Sequence, residues 1–319
     1  MPELPEVETV RSGLAPSVTG ATVDSIQILD ERSLKRHIGG PSDFVSNLTG
    51  RKILGVVRRG KFLWMPLEAR DGDLGFGSAE GAKPLALVGH LGMSGQMLLR
   101  HPGHPEDKLT RVIVHLTEKD GLKTEFRFVD QRIFGSLAID VMIPTKDGKP
   151  GGFSAGVGDG TWWQNLIPAS AAHIARDPLD PDFDSKATLG KLRTKNTGIK
   201  RALLDQGLLS GIGNIYADET LWQTKLHYDQ PANTISSVKA NEILAAVRAI
   251  LARAVEVGGT SFDEQYKNVN GESGYFEISL HAYGRTGTPC NRCGTDIVRE
   301  EWANRGSHFC PRCQPLKRK

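Results

Sequence analysis

Four cysteines make the sharpest chemical pattern in the sequence. Cys290 and Cys293 form one C-x2-C pair, sixteen residues follow, and Cys310 and Cys313 form the second. Each pair can present two thiolates from one tight turn, so together they can close a tetrahedral zinc site with no open position. A closed site is structural, and one Zn2+ is the expected cofactor. Two disulfides are the alternative, but they belong to oxidising compartments. The opening Met1-Pro2-Glu3-Leu4-Pro5-Glu6 lacks the basic start and apolar core of a signal peptide, so a cytoplasmic chain is expected. Arg292, Arg299, Arg305 and Arg312 interleave the ligands and could meet phosphates.

The first residues offer a second chemistry. If Met1 is removed, Pro2 becomes a secondary amine, and α-amines have pKa values near 7.7–8.0. An appreciable neutral fraction could then attack an aldehyde-level carbon and form an iminium, an electron sink that eases elimination. Glu3 stands beside it as a general acid or base. By itself, a Met-Pro start is more often a start codon followed by a proline.

Such groups need elements to hold them. Pro5 suits a first helical position, and Val7, Val10 and Leu14 share one helical face. Short strands are expected at 22–29, 52–57, 62–67, 85–91, 111–116, 124–129 and 134–139, which reads as a β-sandwich. Residues 147–163 hold six glycines and read as a flexible insertion, and 177–184 read as linker. Helices follow at 199–206, 214–223 and 238–257, the first two flanking a glycine turn. The expected fold class is α+β. An N-terminal catalytic domain of helix plus β-sandwich spans 1–172, a linker 173–187, a helical domain 188–284 and a zinc module 285–319.

Composition excludes several classes. The 319 residues carry 39% apolar and 24% charged side chains, which is globular rather than disordered composition. No apolar run approaches the roughly 18–20 residues of a membrane helix. The net charge of +3 hides an asymmetry: residues 1–187 hold 22 basic and 24 acidic side chains, residues 188–319 hold 18 and 13. A basic C-terminal portion is the footprint expected of nucleic-acid binding.

Taken together, the motifs carry a resemblance. Met1-Pro2-Glu3-Leu4-Pro5-Glu6-Val7-Glu8-Thr9 resembles the start of the formamidopyrimidine-DNA glycosylase family, bacterial repair enzymes for 8-oxoguanine. Similar stretches recur in order at Arg59-Gly60-Lys61-Phe62-Leu63, His90-Leu91-Gly92-Met93-Ser94-Gly95 and Asp130-Gln131-Arg132-Ile133-Phe134-Gly135. They continue at Gly211-Ile212-Gly213-Asn214-Ile215-Tyr216-Ala217 and Gly274-Tyr275-Phe276, and end at the four cysteines.

The resemblance implies a helix–two-turn–helix architecture in the helical domain and a zinc-ribbon β-hairpin after it. It implies that Pro2 attacks C1′ of the damaged nucleoside, that Glu3 shuttles protons, and that Lys61 assists near the phosphate and in β-elimination. Arg305 would grip phosphates and serve δ-elimination. Met93, Arg132 and Phe134 would fill the space left by an extruded base, Arg132 addressing the orphaned cytosine. Lys195 would contact DNA. Asn214 would add an amide donor to a phosphate site at a helix N-terminus, or simply cap the helix. Residues 259–276 would close over the extruded base. The implied partner is damaged double-stranded DNA, bound by a monomer associated with the bacterial nucleoid.

Some positions depart from the family. Ile133 stands where a second arginine is common, and Leu109 near where a histidine is; both bear on backbone contacts. Residues 71–83 and 147–163 are longer than expected. Two decoys fail: Gly55 to Lys61 has Walker A spacing, but Phe62 replaces the required Ser or Thr, and Gly156-x-Gly158-x-Gly160 lacks a preceding apolar strand. The expected activity is a bifunctional glycosylase and abasic-site lyase for oxidised purines. The rivals are an endonuclease VIII-like enzyme for oxidised pyrimidines and a zinc-ribbon DNA binder without catalysis.

Overall fold

The computed structural model describes residues 2–70, 84–154, 161–259, 269 and 280–317. Residues 71–83, residues 155–160 with the glycine decoy, and nearly all of 259–276, including Gly274-Tyr275-Phe276, lie outside the described residues. The chain divides into two compact units. One comprises residues 1–2, 6–173 and 261–274; the other comprises 3–5, 174–260 and 275–319.

The first unit is a sandwich with a helix along it. Helix α1 (Leu4–Val18) buries Val7, Val10, Leu14 and Val18, the stripe its periodicity predicts. One sheet has the order β1-β6-β7-β5, from β1 (Thr22–Ile28), β5 (Gly95–Arg100), β6 (Thr110–Thr117) and β7 (Lys123–Asp130). The other runs β2-β3-β4-β8-β9, from β2 (Val57–Arg59), β3 (Phe62–Pro66), β4 (Leu85–His90), β8 (Ser136–Pro144) and β9 (Leu166–Pro168). All the paired strands are antiparallel. On β6 the residues alternate between buried and half-buried along its length.

Two local expectations change, and one element had no expectation. Residues 52–57 are not one strand: Lys52 and Ile53 make isolated bridges, and the ladder begins only at Val57, beyond Gly55. Helix α2 (Gly40–Leu48) begins within a Gly39-Gly40-Pro41 stretch that resembles a loop; the proline sits in its first turn, where no N–H is needed, and Phe44 and Leu48 anchor it. Part of the glycine-rich insertion is packed. Arg58 and Phe153 exchange backbone hydrogen bonds of 3.0 and 2.7 Å, and Trp163 is buried. Its glycines allow this close approach: a Cβ on Gly152 would lie 2.4 Å from the Arg58 carbonyl oxygen, and one on Gly151 2.0 Å from that of Leu166.

The second unit is helical. It holds α3 (Ser185–Thr194), capped by the Asp184 carboxylate, α4 (Ile199–Leu203), α5 (Asn214–Gln223) and α6 (Ser237–Glu256), capped by Ser236. Their core gathers Leu203, Ile212, Tyr216, Leu221, Ile243, Val247 and Leu251, with Leu4 and Phe309 added from distant sequence. Strands β10 (Val298–Trp302) and β11 (Arg305–Phe309) form a two-stranded hairpin. No helix among the described residues is long and apolar enough to cross a membrane.

Candidate active site and nucleic-acid interface

In the second unit, Glu3 is the organising group. Its side chain is buried, and its carboxylate accepts the backbone N–H groups of Gly213 at 2.5 Å, Ile215 at 2.9 Å and Tyr216 at 3.4 Å. These are donors that open α5, so a residue at the start of the chain caps a helix more than 200 residues away. Gly213 must be glycine, because a Cβ there would stand 2.3 Å from the Glu3 carboxyl carbon. Gly211, at φ +92°, lies against Leu4 and accepts its N–H at 2.9 Å. This glycine turn therefore seats residues 3 and 4.

The donors considered for phosphate at this helix start are thus occupied by Glu3. Asn214 is the first helical residue, not the cap, and its amide donates to the Gly306 carbonyl at 3.0 Å. That bond ties α5 to the hairpin bearing Arg305. The same carbonyl accepts from Lys200 Nζ at 3.2 Å. Lys200 and Asp218 form a fully buried ion pair at 2.6 Å. Burial pushes the Lys200 ammonium pKa down, and Asp218 opposes the shift. Asp218 also accepts the His308 N–H at 2.9 Å and the Ser307 hydroxyl at 3.3 Å. Glu219 receives the N–H groups of His281, Ala282 and Tyr283 at 2.8–2.9 Å, while burial raises its pKa.

The hairpin turns through Ala303 and Asn304, both with positive φ, which matches the right-handed twist of its strands. Arg305 leaves that turn exposed, and its cross-strand partner is Trp302. Lys195 ends α3 and pairs with Asp205 at 2.8 Å. Lys195, Arg201, Trp302 and Arg305 line one cavity of about 540 Å³.

The four cysteine Sγ atoms lie within 4.8 Å of one another. Tetrahedral zinc with bonds of 2.3 Å needs sulfurs about 3.8 Å apart, so the cluster fits the ion with little contraction. The shortest described approach, 3.5 Å between Cys293 and Cys310, is far beyond a disulfide bond. Hydrogen bonds from Thr295 hold the Cys293 thiol down near pKa 6, while burial pushes Cys310 up to about 12. Trp222 of α5 donates its indole N–H to Cys290 at 3.4 Å, stacked 4.4 Å from His281 and 3.9 Å from the Arg292 guanidinium. The residues present suit one structural zinc ion.

In the first unit, Pro2 is buried and precedes α1. Glu8 of that helix accepts Arg11 and Arg58, each at 2.8 Å, and thereby fastens α1 to β2. Strand β2 turns into β3 through Gly60, at φ +56°, and Lys61, which is half-buried.

The three candidate wedge residues share one rim. Met93 and Phe134 are 39% and 51% exposed, unusual for large apolar side chains, and Arg132 is exposed with them. Their loops, 91–94 and 131–135, meet on the wholly buried Asp130. Its carboxylate accepts the Ser94 hydroxyl at 2.5 Å and the N–H groups of Gly135 at 2.7 Å and Arg132 at 3.2 Å. Gly92 lets the loops touch, since a Cβ there would stand 2.4 Å from Gly135 N. Ile133 and Leu109 both hold positive φ, and the Leu109 carbonyl accepts the Asp130 N–H. Sequence reasoning missed Asp130 and Ser94 as positioning groups, although both lie inside the matched motifs. His90 accepts the Gly92 N–H on Nδ1 at 3.1 Å, so its proton is on Nε2; burial, with Arg36 and Lys35 nearby, lowers its pKa to about 4.

A buried Glu3 carboxylate that caps a distant helix, exposed Met93, Arg132 and Phe134 on adjoining loops, a helical unit with a glycine turn and a four-cysteine hairpin suit a DNA-processing enzyme with a structural metal. The chain matches the formamidopyrimidine-DNA glycosylase N-terminal domain over residues 1–137 and that family's H2TH domain over 174–265. It also matches the zinc finger found in FPG and IleRS over 287–316. It is 53% identical to the formamidopyrimidine-DNA glycosylase of Leifsonia xyli, covering 99% of this chain and all of that one. Identity is 49% to that of Kineococcus radiotolerans, over 100% and 99% of the two chains. A Lactococcus lactis FPG variant bound to DNA containing Fapy-dG superposes with a TM-score of 0.76 at 29% identity, covering 98% and 100%. The chain belongs to the formamidopyrimidine-DNA glycosylase family.

Proposed function

We propose that this protein excises oxidised purines from duplex DNA and cleaves the strand, with Pro2 as the nucleophile. After loss of Met1, the neutral Pro2 amine attacks C1′ and the C1′–N bond to the damaged base breaks, the base leaving with a proton; the C1′–O4′ bond then opens, O4′ takes a second proton, and C1′ and the Pro2 nitrogen become an iminium. The resulting iminium acidifies C2′. Loss of that proton expels the 3′ phosphate by β-elimination, a second elimination expels the 5′ phosphate, and hydrolysis returns the free amine. Glu3 moves protons at the sugar. Lys61 and Arg305 meet the leaving phosphates, Met93, Arg132 and Phe134 hold open the duplex, and Lys195 and Asn214 support the backbone contacts. The zinc ion on Cys290, Cys293, Cys310 and Cys313 supplies no step; it fixes the hairpin that carries Arg305.

The observation that carries this reading is the buried Glu3 carboxylate, held by three backbone N–H groups immediately after Pro2. The α5 cap would serve a DNA binder equally, but binding alone would not require a secondary amine at residue 2 beside that carboxylate. The division of labour follows the proposed domains: chemistry and wedging in 1–172, backbone grip in 188–284, and phosphate contact from 285–319. The protein works as a monomer in the cytoplasm, on chromosomal DNA. An L. lactis relative is described in complex with oxidised-pyrimidine DNA, at a TM-score of 0.75, which makes pyrimidine lesions the second reading.

Borohydride trapping separates these readings once the N-terminus has been weighed by mass spectrometry. Preferential trapping on 8-oxoguanine opposite cytosine is expected. Preference for thymine glycol would move the enzyme to pyrimidines, and no trapping with Pro2 exposed would remove the catalytic reading.

A further inference from the structure

Helix α4 buries four of its five residues, and Arg201 alone is exposed. Its guanidinium lies 5.6 Å from the centre of the Trp302 ring. That ring is fixed from other sides: its indole N–H donates to Asp229 at 3.2 Å, and Tyr228 meets it edge-on. The buried Lys200 ammonium lies 5.0 Å from the same ring. A guanidinium resting on an immobilised aromatic ring keeps its N–H fork available in a preset orientation.

The cavity of about 540 Å³ beside this stack is lined by Lys195, Thr197, Arg201, Asp205, Trp302 and Arg305. Its single carboxylate is already engaged, by Lys195 at 2.8 Å and by the Gly207 N–H at 3.0 Å. Arg201 has no carboxylate partner among the described residues. Three cations against one carboxylate, which Lys195 already pairs, leave a net charge of +2 on Arg201 and Arg305, the chemistry of an anion site, and a forked guanidinium suits phosphate geometry.

We infer that Arg201, stacked on Trp302, is a further phosphodiester-binding residue, clamping a DNA backbone phosphate in this cavity between Lys195 and Arg305. The inference rests on the proposed DNA-repair function but adds a contact that the sequence did not indicate. Arg201 is a binding residue and takes no part in the chemistry, so its loss changes grip and leaves the bond-making steps alone.

The test is the salt dependence of binding to a duplex with a tetrahydrofuran abasic analogue, which offers no base to remove, for the full-length zinc-loaded protein. One lost phosphate contact reduces the slope of log K against log salt by about 0.9. Arg201→Gln is therefore expected to bind about 8-fold more weakly at 0.1 M salt, the gap closing toward 1 M. Its melting temperature and single-turnover rate at saturating protein should match the parent. Arg201→Lys should retain the slope. Lys119→Gln, which removes an exposed charge from a turn in the other unit, should change nothing. An unchanged slope in Arg201→Gln, or an equal loss in Lys119→Gln, would overturn the inference. Failure of the parent to prefer the abasic duplex over an intact one would instead count against the proposed repair function, because the slope comparison can still be made on intact DNA.

Discussion

The rim on Asp130 and the hairpin on Asp218 solve the same problem with different partners. Each presents exposed candidate DNA contacts: Met93, Arg132 and Phe134 on two adjoining loops in one, Arg305 at the hairpin turn in the other. Each loop is gathered by a buried carboxylate. Asp130 does so with the Ser94 hydroxyl and backbone N–H groups, all neutral donors. Asp218 does so with the buried Lys200 ammonium as well as Ser307 and His308. Hydrogen bonds alone suffice where two loops of one sandwich meet. An ion pair appears where a helical core must hold a small hairpin that has little apolar core of its own.

The comparison is broken most strongly at Asp218. Asp218→Ala leaves an uncompensated buried ammonium and should cost about 3–5 kcal/mol in urea unfolding. A Lys200→Met, Asp218→Leu pair, which removes both charges, should recover most of that loss. A double variant no more stable than Asp218→Ala would show that the charges are not the issue.

Asp130→Asn should cost less, about 1–3 kcal/mol, because it turns one acceptor into a donor that faces existing donors. Its functional signature should be selective. Base excision from intact duplex should fall, while cleavage at preformed abasic sites, where no stacked base must be expelled, should persist. Equal losses on both substrates would place Asp130 outside the wedge.

His90 sharpens the comparison through pH. Its folded pKa of about 4 lies below the unfolded value of 6.5, so its contribution is complete above pH 6.5 and disappears as pH falls toward 4. Allowing for its partial exposure, the change is of order 1–2 kcal/mol. His90→Asn should flatten that part of the stability–pH curve, and an unchanged curve would exclude His90 as its source.

The smallest structural effects belong to the exposed Met93 and Phe134. Met93→Ala and Phe134→Ala remove exposed side chains and should shift stability by no more than about 0.5 kcal/mol. Excision from intact duplex should nevertheless slow. A large loss of stability would mean that these side chains are packed rather than presented.

Sequence patterns revealed the elements whose signals are local. The cysteine spacing, the stripe of α1 and the alternation of β6 each report their own surroundings. The strand β5 and helix α2 were hidden, because Gly95 and the Gly39-Gly40-Pro41 run carry loop chemistry that tertiary packing overrides. The positioning carboxylates were hidden for another reason. Asp130 lies inside a matched motif, but its positioning role depends on Ser94, 36 positions away, and the donors of Asp218 lie as far away as Ser307 and His308. Glu3 was visible as a catalytic candidate beside Pro2, but its role as the cap of α5 depends on Gly213, a partner 210 positions away.

The central claim is that chemistry starts at residue 2. The most direct measurement is peptide mapping by mass spectrometry of the borohydride-trapped complex formed on an 8-oxoguanine duplex. The account predicts a single sugar adduct on the Pro2 nitrogen. An adduct on Lys61, or on any other lysine with Pro2 unmodified, would contradict it.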